Sequence, residues 1–336
     1  MGMILTITAN PSVDISYELD DFKIDDVNRT SQVIKDAGGK GIHVGYVAKE
    51  LGGAVVHSGF VGGALGQYIK ETLKEKGQES RFVDIKENTR NCIAILHDGN
   101  QTEILEKGPT ISQEEKDEFI ENLDKISEGC EIINISGSLP KGLDVDFYQT
   151  IIKYAKDHNK FVSVDTSGKT LEAIINAEIK PDLIKPNETE IRDVLGIEIN
   201  KENLGDILLK EPFKDIKYVI GSMGKDGAIV KADNKIYGAS VPEVSAVNPV
   251  GSGDSSLAGA LFAINNAKND VEIIKTSMTC GLLNVLNKEI AHININDFDK
   301  YYDQIKVRKL YESISRKIRK SQTISKRRRS NRSPSH

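Results

Sequence analysis

The sequence predicts an α/β fold in three layers, a sheet between two sheets of helices. Two patterns predict it. Short apolar runs alternate with amphipathic stretches of helical period, which is the signature of βαβ units. Several of the runs, Ile132–Ile135 and Val219–Ile220 among them, are almost continuously apolar, as suits strands covered on both faces.

The first strand is expected at Met3–Thr8, followed by strands at Val55–Val61, Glu131–Ile135, Phe161–Asp165, Asp182–Ile184 and Tyr218–Gly221. Helices are expected between them at Gly41–Leu51, Leu65–Lys76, Gln113–Ile126, Val145–Lys156 and Glu188–Leu195. Two regions break the alternation. Val27–Ala37 reads as extended, and Cys92–Leu96 and Thr102–Leu105 flank Asp98-Gly99-Asn100, a hairpin signal. These segments, about 11–38 and 88–107, are expected to form a small β lid inserted into the main domain. A surface hairpin on the main sheet is the alternative.

Charge divides the chain. Its 336 residues carry a net charge of −5. From Tyr311 to His336 nine basic residues face only Glu312, so this stretch is +8 and residues 1–310 are −13. The body, 1–310, is expected to be one domain, and 311–336 a disordered tail, being Ser/Arg/Lys-rich and almost free of aromatics. No apolar run approaches the ~18 residues that a spanning helix needs, and the first residues lack the basic-then-apolar layout of a secretion signal. Cys92, Cys130 and Cys280 show no ligand spacing, which fits a reducing cytoplasm. An acidic body argues against nucleic acid as its main partner, and no membrane association is expected.

The most informative segment is Asn248-Pro249-Val250-Gly251-Ser252-Gly253-Asp254-Ser255-Ser256, leading into the apolar run Leu257–Leu261. Glycines at a helix start let backbone N–H groups point at an anion, and the helix end adds partial positive charge. Such a site stabilises charge on a transferred phosphoryl group. A carboxylate placed there, Asp254, suits a general base that takes a hydroxyl proton; a plain N-cap is the alternative. Gly38-Gly39-Lys40-Gly41-Ile42-His43-Val44 is a second glycine-rich helix start. It lacks the GxxxxGK[ST] spacing of a Walker loop, and an ordinary turn into a helix would look the same.

With Asn10-Pro11-Ser12-Val13-Asp14, Lys185-Pro186-Asn187-Glu188-Thr189-Glu190 and Gly221-Ser222-Met223-Gly224-Lys225-Asp226-Gly227, these segments form five motifs in order. In that order they resemble the ribokinase/PfkB family of carbohydrate kinases, over residues 3 to about 308. The resemblance is strongest to the phosphosugar branch, through Ser136-Gly137-Ser138-Leu139-Pro140, Thr89–His97 and Gln101–Pro109.

The resemblance implies a ribokinase-like α/β/α sandwich with a lid, ATP and Mg2+ as cofactors, and a homodimer formed through the lids. It implies phosphorylation of a ketohexose phosphate: D-tagatose 6-phosphate to the 1,6-bisphosphate first, fructose 1-phosphate second. Asp254 would be the base, with Gly251, Ser252 and Gly253 as anion hole. Lys185, Asn187, Ser222, Gly224, Gly227 and Gly253 would bind ATP, and Asn187 and Glu190 would organise magnesium through water. Asp14, Gly39, Lys40, His43, Arg90 and Lys107 would meet the sugar phosphate, the three cations facing the phosphate it already carries. Arg can grip a phosphate bidentately, whereas Lys acts as a point charge. Position 43 departs from the branch, which usually has Asn there. A reading of another class, nucleic-acid binding through the basic tail, rests on charge alone.

Overall fold

The computed structural model describes residues 2–313. In chain order its elements begin β1 (Met3–Thr8), β2 (Ser12–Leu19), β3 (Gln32–Gly38), α1 (Lys40–Glu50), β4 (Val55–Gly62), α2 (Gly63–Glu75), β5 (Glu79–Ser80) and β6 (Val83–Ile85). The hairpin β7 (Arg90–His97) and β8 (Asn100–Leu105) follows, then α3 (Gln113–Glu121), α4 (Leu123–Ile126), β9 (Cys130–Ser136), α5 (Val145–Asp157), β10 (Phe161–Asp165), α6 (Gly168–Asn176) and β11 (Leu183–Ile184). The last part holds α7 (Glu188–Leu195), α8 (Leu204–Leu208), β12 (Tyr218–Ser222), β13 (Ala228–Ala232), β14 (Lys235–Ser240), α9 (Ser252–Asn265), α10 (Asp270–Val285), α11 (Phe298–Tyr302) and β15 (Lys306–Glu312).

The main sheet has the order β15-β14-β13-β12-β11-β10-β9-β1-β4-β5, with β6 also on β4. From β12 to β5 the strands are parallel, and β12 to β15 pair antiparallel. Period-2 alternation explains why the strands read as continuous apolar runs. Leu5, Ile7, Ile133 and Ile135 pack on one face with Phe60, Phe119 and Phe147, whose rings lie 5.0–5.6 Å apart. Ile4 and Ile132 pack on the other, against Val44 and Val47 of α1 and Leu257 and Leu261 of α9. The sandwich is therefore three layers deep.

The segments expected to form the lid make a second, smaller sheet, with order β3-β2-β7-β8. A third apolar cluster, including Val13, Ala37, Ile42, Tyr46 and Val61, seats its base on α1 and α2.

Three local expectations change. The single helix expected over Gln113–Ile126 is two, broken at Asn122, whose side-chain amide donates to the Glu118 carbonyl at 2.8 Å. The strand pair β13–β14 and the helices α6 and α10 were not anticipated. The boundary drawn at Tyr311 moves outward: Tyr311 and Glu312 extend β15, Tyr311 Oη donates to Asp206 at 2.9 Å, and Ser313 N–H donates to the Asn234 carbonyl at 2.8 Å. From residue 314 on, the basic tail lies outside the described residues.

Register fixes where β15 ends. Lys306 pairs with Ser240, at the end of the sheet where β12 turns through Gly224–Gly227, and Glu312 pairs with Lys235 at the opposite end. No helix among the described residues is long and apolar enough to cross a membrane.

Candidate active site

The site forms where the C-terminal ends of the parallel strands meet the lid, the position at which open α/β sheets bind ligands. Its floor is the start of α9. Gly251 is the N-cap at φ 80°, a left-handed conformation that favours glycine. A methyl group there would also sit 2.9 Å from the Ala291 nitrogen. The loop before it is held from α10: Asn284 Nδ2 donates to the Val250 carbonyl at 2.8 Å, and Ser255 Oγ donates to Asn284 Oδ1 at 3.1 Å. Gly253 leaves its surface open to a cation, since a methyl group at 253 would lie 3.0 Å from Lys185 Nζ. Helix end and buried lysine together make an anion-binding floor. Asp254, one residue on, is 7% exposed.

Asp254 meets α1. His43 Nδ1 lies 3.1 Å from Asp254 Oδ2, and His43 Nε2 lies 3.2 Å from Asp14 Oδ2 on lid strand β2. Ser12 Oγ donates to the other Asp14 oxygen at 2.7 Å. Gly39, at φ 111°, starts α1, and a methyl group on it would meet Thr8 Cγ2 at 2.8 Å. Burial alone would lower the His43 pKa, but its hydrogen bonds to Asp14 and Asp254 prevail and raise it to about 10.

Lys40 stands one turn earlier. Its Nζ lies 3.3 Å from Asp165 Oδ2 at the end of β10, a side chain only 3% exposed. The Asp165 charge, against the opposing effect of burial and with help from Asp254 and Glu190, holds the Lys40 pKa well above the ordinary lysine value. Asp165 was missed in the sequence. The available signal was a carboxylate at the C-terminal end of an expected parallel strand.

Beyond α9, the ATP-loop candidates form a tight turn. Ser222 N–H donates to the Pro186 carbonyl at 3.1 Å, joining this turn to the Lys185 segment, and Met223 N–H donates to the Gly227 carbonyl at 2.9 Å. Gly224 opens a short 3-10 turn, and a methyl group on Gly227 would collide with the Ala239 carbonyl oxygen. Asn187 and Glu190 prove to be reciprocal caps of α7: Glu190 N–H donates to Asn187 Oδ1 at 2.8 Å, and Asn187 N–H donates to Glu190 Oε2 at 2.9 Å. The N-x-x-E spacing is thus that of a capping box.

At the other end, Arg90 Nη1 donates to the Glu106 carbonyl at 2.8 Å and Nη2 to the Asn10 carbonyl at 3.1 Å, while its buried Nε has no partner. The guanidinium is fixed in place with donors to spare. Lys107 is exposed, its carbonyl accepts from Asn10 Nδ2 at 3.2 Å, and its ammonium forms no ion pair among the described residues.

A glycine-walled helix start, a buried lysine over it and a carboxylate beside it can hold a phosphoryl group and deprotonate an acceptor hydroxyl. The family model for pfkB family carbohydrate kinases matches residues 7–295. The chain belongs to the pfkB family of carbohydrate kinases. This pfkB kinase is 45% identical over 307 residues to a tagatose-6-phosphate kinase of Staphylococcus epidermidis, covering 91% of this chain and 99% of the relative. Among solved structures it resembles a Thermotoga maritima protein described as "Possible 1-phosphofructokinase", at TM-score 0.83 and 25% identity, covering 92% of this chain and 100% of that one. It shares its fold with Escherichia coli phosphofructokinase-2 in complex with fructose-6-phosphate, at TM-score 0.82 and 24% identity over 90% of this chain and 99% of that one. The kinase family implies ATP as phosphoryl donor.

Proposed function

We propose that this pfkB kinase transfers the γ-phosphoryl group of ATP to the primary hydroxyl of D-tagatose 6-phosphate, giving the 1,6-bisphosphate. The observation that carries the chemistry is Asp254 beside the Gly251–Gly253 helix start, with Lys185 Nζ facing Gly253. The substrate choice rests on the 45% identical relative. In this reading Asp254 takes the hydroxyl proton as the oxygen attacks the γ-phosphorus. The bond to the bridging oxygen breaks, and ADP leaves with its electrons. Gly251, Ser252 and Gly253 meet the transferred oxygens, and the turn at Ser222, Gly224 and Gly227 meets the nucleotide.

On the sugar side, Asp14 and His43 contact hydroxyls, Gly39 admits the ring to the backbone, and Arg90 grips the existing phosphate with Lys107 at its rim. Lys40, paired with Asp165 and in the field of Asp254, is better placed for the phosphoryl group in flight. The lid excludes water that would otherwise accept the phosphate.

Magnesium would neutralise charge on the β- and γ-phosphates of bound ATP. Among the described residues no three His, Cys, Asp or Glu side chains gather into a metal cage. Glu190 commits Oε2 to the α7 cap and leaves Oε1 without a hydrogen bond among the described residues. That fits a magnesium ion held mainly by phosphates and water, with Asn187 and Glu190 behind the water.

A homodimer through the lids accords with the lid face opposite Asp14. Its in-register neighbours are Tyr17, Val33 and Ile95, with Ile93 against Ile104, and Val33 and Ile104 are exposed. Three free cysteines accord with a cytoplasmic setting.

The test is an ATP-coupled assay across tagatose 6-phosphate, fructose 1-phosphate, fructose 6-phosphate and the unphosphorylated ketohexoses. The highest kcat/KM is expected with tagatose 6-phosphate. A clear preference for fructose 1-phosphate would overturn the substrate, and turnover of unphosphorylated sugars alone would overturn the role of Arg90.

A further inference from the structure

His43 does more in this geometry than offer one sugar contact. Its imidazole spans two carboxylates that belong to different elements, Asp254 on α9 and Asp14 on lid strand β2, at 3.1 and 3.2 Å. Carboxylates only accept, so a ring nitrogen makes a hydrogen bond to one only if it carries a hydrogen. Both contacts are satisfied together by the imidazolium alone. The His43 side chain is 13% exposed, and His43 Nδ1 is the one side-chain donor to Asp254 among the described residues.

We infer that His43 is a positioning residue that, as an imidazolium, bridges Asp14 and Asp254 in the empty site, so that the lid is tied to the base and the base is masked until the acceptor hydroxyl displaces Nδ1–H. An oxygen that already accepts a charged hydrogen bond is a poor partner for a second proton. The arriving hydroxyl takes the place of Nδ1–H on Asp254 and then gives its own proton to that carboxylate during transfer, while His43 keeps its proton throughout. Proton abstraction is thereby coupled to occupancy of the sugar site, and a site holding ATP without sugar has its base occupied.

The surroundings favour the charged ring. The bonds to Asp14 and Asp254 outweigh burial in setting its pKa. Other charges nearby are committed elsewhere: Lys40, on the same helix, pairs with Asp165 of β10, and Asp36 of β3 accepts from Tyr46 and Lys76. Lys185, after β11, faces Gly253. His57 of β4, beneath α1, is bonded to Thr6 and Gln78 and is held neutral by burial.

This inference rests on Asp254 as base and Asp14 as a sugar contact, and the test separates the two readings. The ring nitrogens of His43 are followed by 15N NMR in the whole protein, assigned with His43→Asn. Both nitrogens are expected to be protonated in the free enzyme at pH 7.5. The Nδ1 signal should move on adding tagatose 6-phosphate and stay put on adding a non-hydrolysable ATP analogue. In parallel, the ratio of wild-type to His43→Asn kcat/KM is measured from pH 7 to pH 10. Loss of the imidazolium proton releases one carboxylate, and with its pKa about 10 half of the rings have lost it at pH 10, so a gain of roughly tenfold per neutral ring should show as a climb of roughly fivefold. An Nδ1 without a proton in the free enzyme, an Nδ1 signal indifferent to the sugar, or a flat ratio would each overturn the bridge. If no sugar phosphate is turned over by the wild type, the function is wrong, and the protonation state of the free enzyme still decides the bridge.

Discussion

The acid limit of this kinase should be set in large part by His57, a residue outside the active site. His57 is fully buried in β4. Its Nε2 faces Gln78 Oε1, which can only accept, so Nε2 carries the hydrogen and Nδ1 accepts from Thr6 Oγ1 at 3.1 Å. The neutral ring is therefore satisfied at both nitrogens, and a second proton would put a buried charge among neutral partners only, Gln78 and Thr6. Burial lowers its pKa from 6.5 to about 4, against a smaller opposing effect of Gln78.

A histidine depressed by folding binds fewer protons in the native state than in the unfolded chain. Its stabilising contribution is complete above pH 6.5 and is lost as the pH falls to about 4. The loss is roughly 3 kcal/mol, at ~1.4 kcal/mol per pKa unit. That is a large part of the ~5–15 kcal/mol that holds a domain together. His43 does not confuse the measurement. Its pKa is raised, so its contribution is complete below 6.5, is lost progressively as the pH rises to about 10, and is common to both proteins compared. The assay is urea unfolding at steps from pH 7.5 to 4, on the wild type and on His57→Gln, with the His57 ring signal followed by NMR. The variant should be less stable at pH 7.5 and the gap should close as the pH falls. A ring that titrates near 6.5, or a gap that stays constant, would refute the argument.

Three further outcomes are expected. Asp254→Asn should lower kcat by about 10²–10⁴ with ATP binding retained by calorimetry; near-normal turnover would remove Asp254 from the role of base. Arg90→Lys keeps the charge but cannot donate to both the Glu106 and Asn10 carbonyls. KM for the sugar phosphate should rise roughly 10- to 100-fold, the value of a charged hydrogen bond, with kcat changing far less. Gly45→Ala would put a methyl group 2.1 Å from His57 Cε1. Overpacking of about 1–3 kcal/mol should exceed the gain in helix propensity and lower the urea midpoint.

The fold was legible wherever a short apolar run was buried on both faces. β1 and β10 match their expected ranges residue for residue, because a strand buried on both faces leaves no ambiguity between Ile4 and Leu5. What escaped was structure whose burial breaks the usual patterns. α10 is buried along most of its length, with Thr276, Ser277, Thr279 and Cys280 among its buried residues, so no amphipathic stripe marks it. β13 hides Lys231, whose ammonium donates to the Ile216 carbonyl, where an apolar residue would be looked for.

For the site, motif order sufficed to assemble Asp254, Gly253 and Lys185 around one point. It could not reveal pairings between distant motifs. His43 is 211 residues from Asp254, and Lys40 is 125 from Asp165. A glycine-rich stretch advertises an anion site by its composition, whereas two side chains meeting across a fold leave no local trace.

β15 runs the length of the sheet edge, from Lys306 opposite Ser240 to Glu312 opposite Lys235. Because that strand carries the chain away from the sheet end that holds the Gly224–Gly227 turn, Ser313 emerges beside Asn234, at the opposite end from that turn. A fusion partner or a surface tether joined after Ser313 would therefore leave the candidate site facing free solution. The kinase is oriented for immobilisation by its own topology, and an anchored preparation should keep the substrate access of the free one.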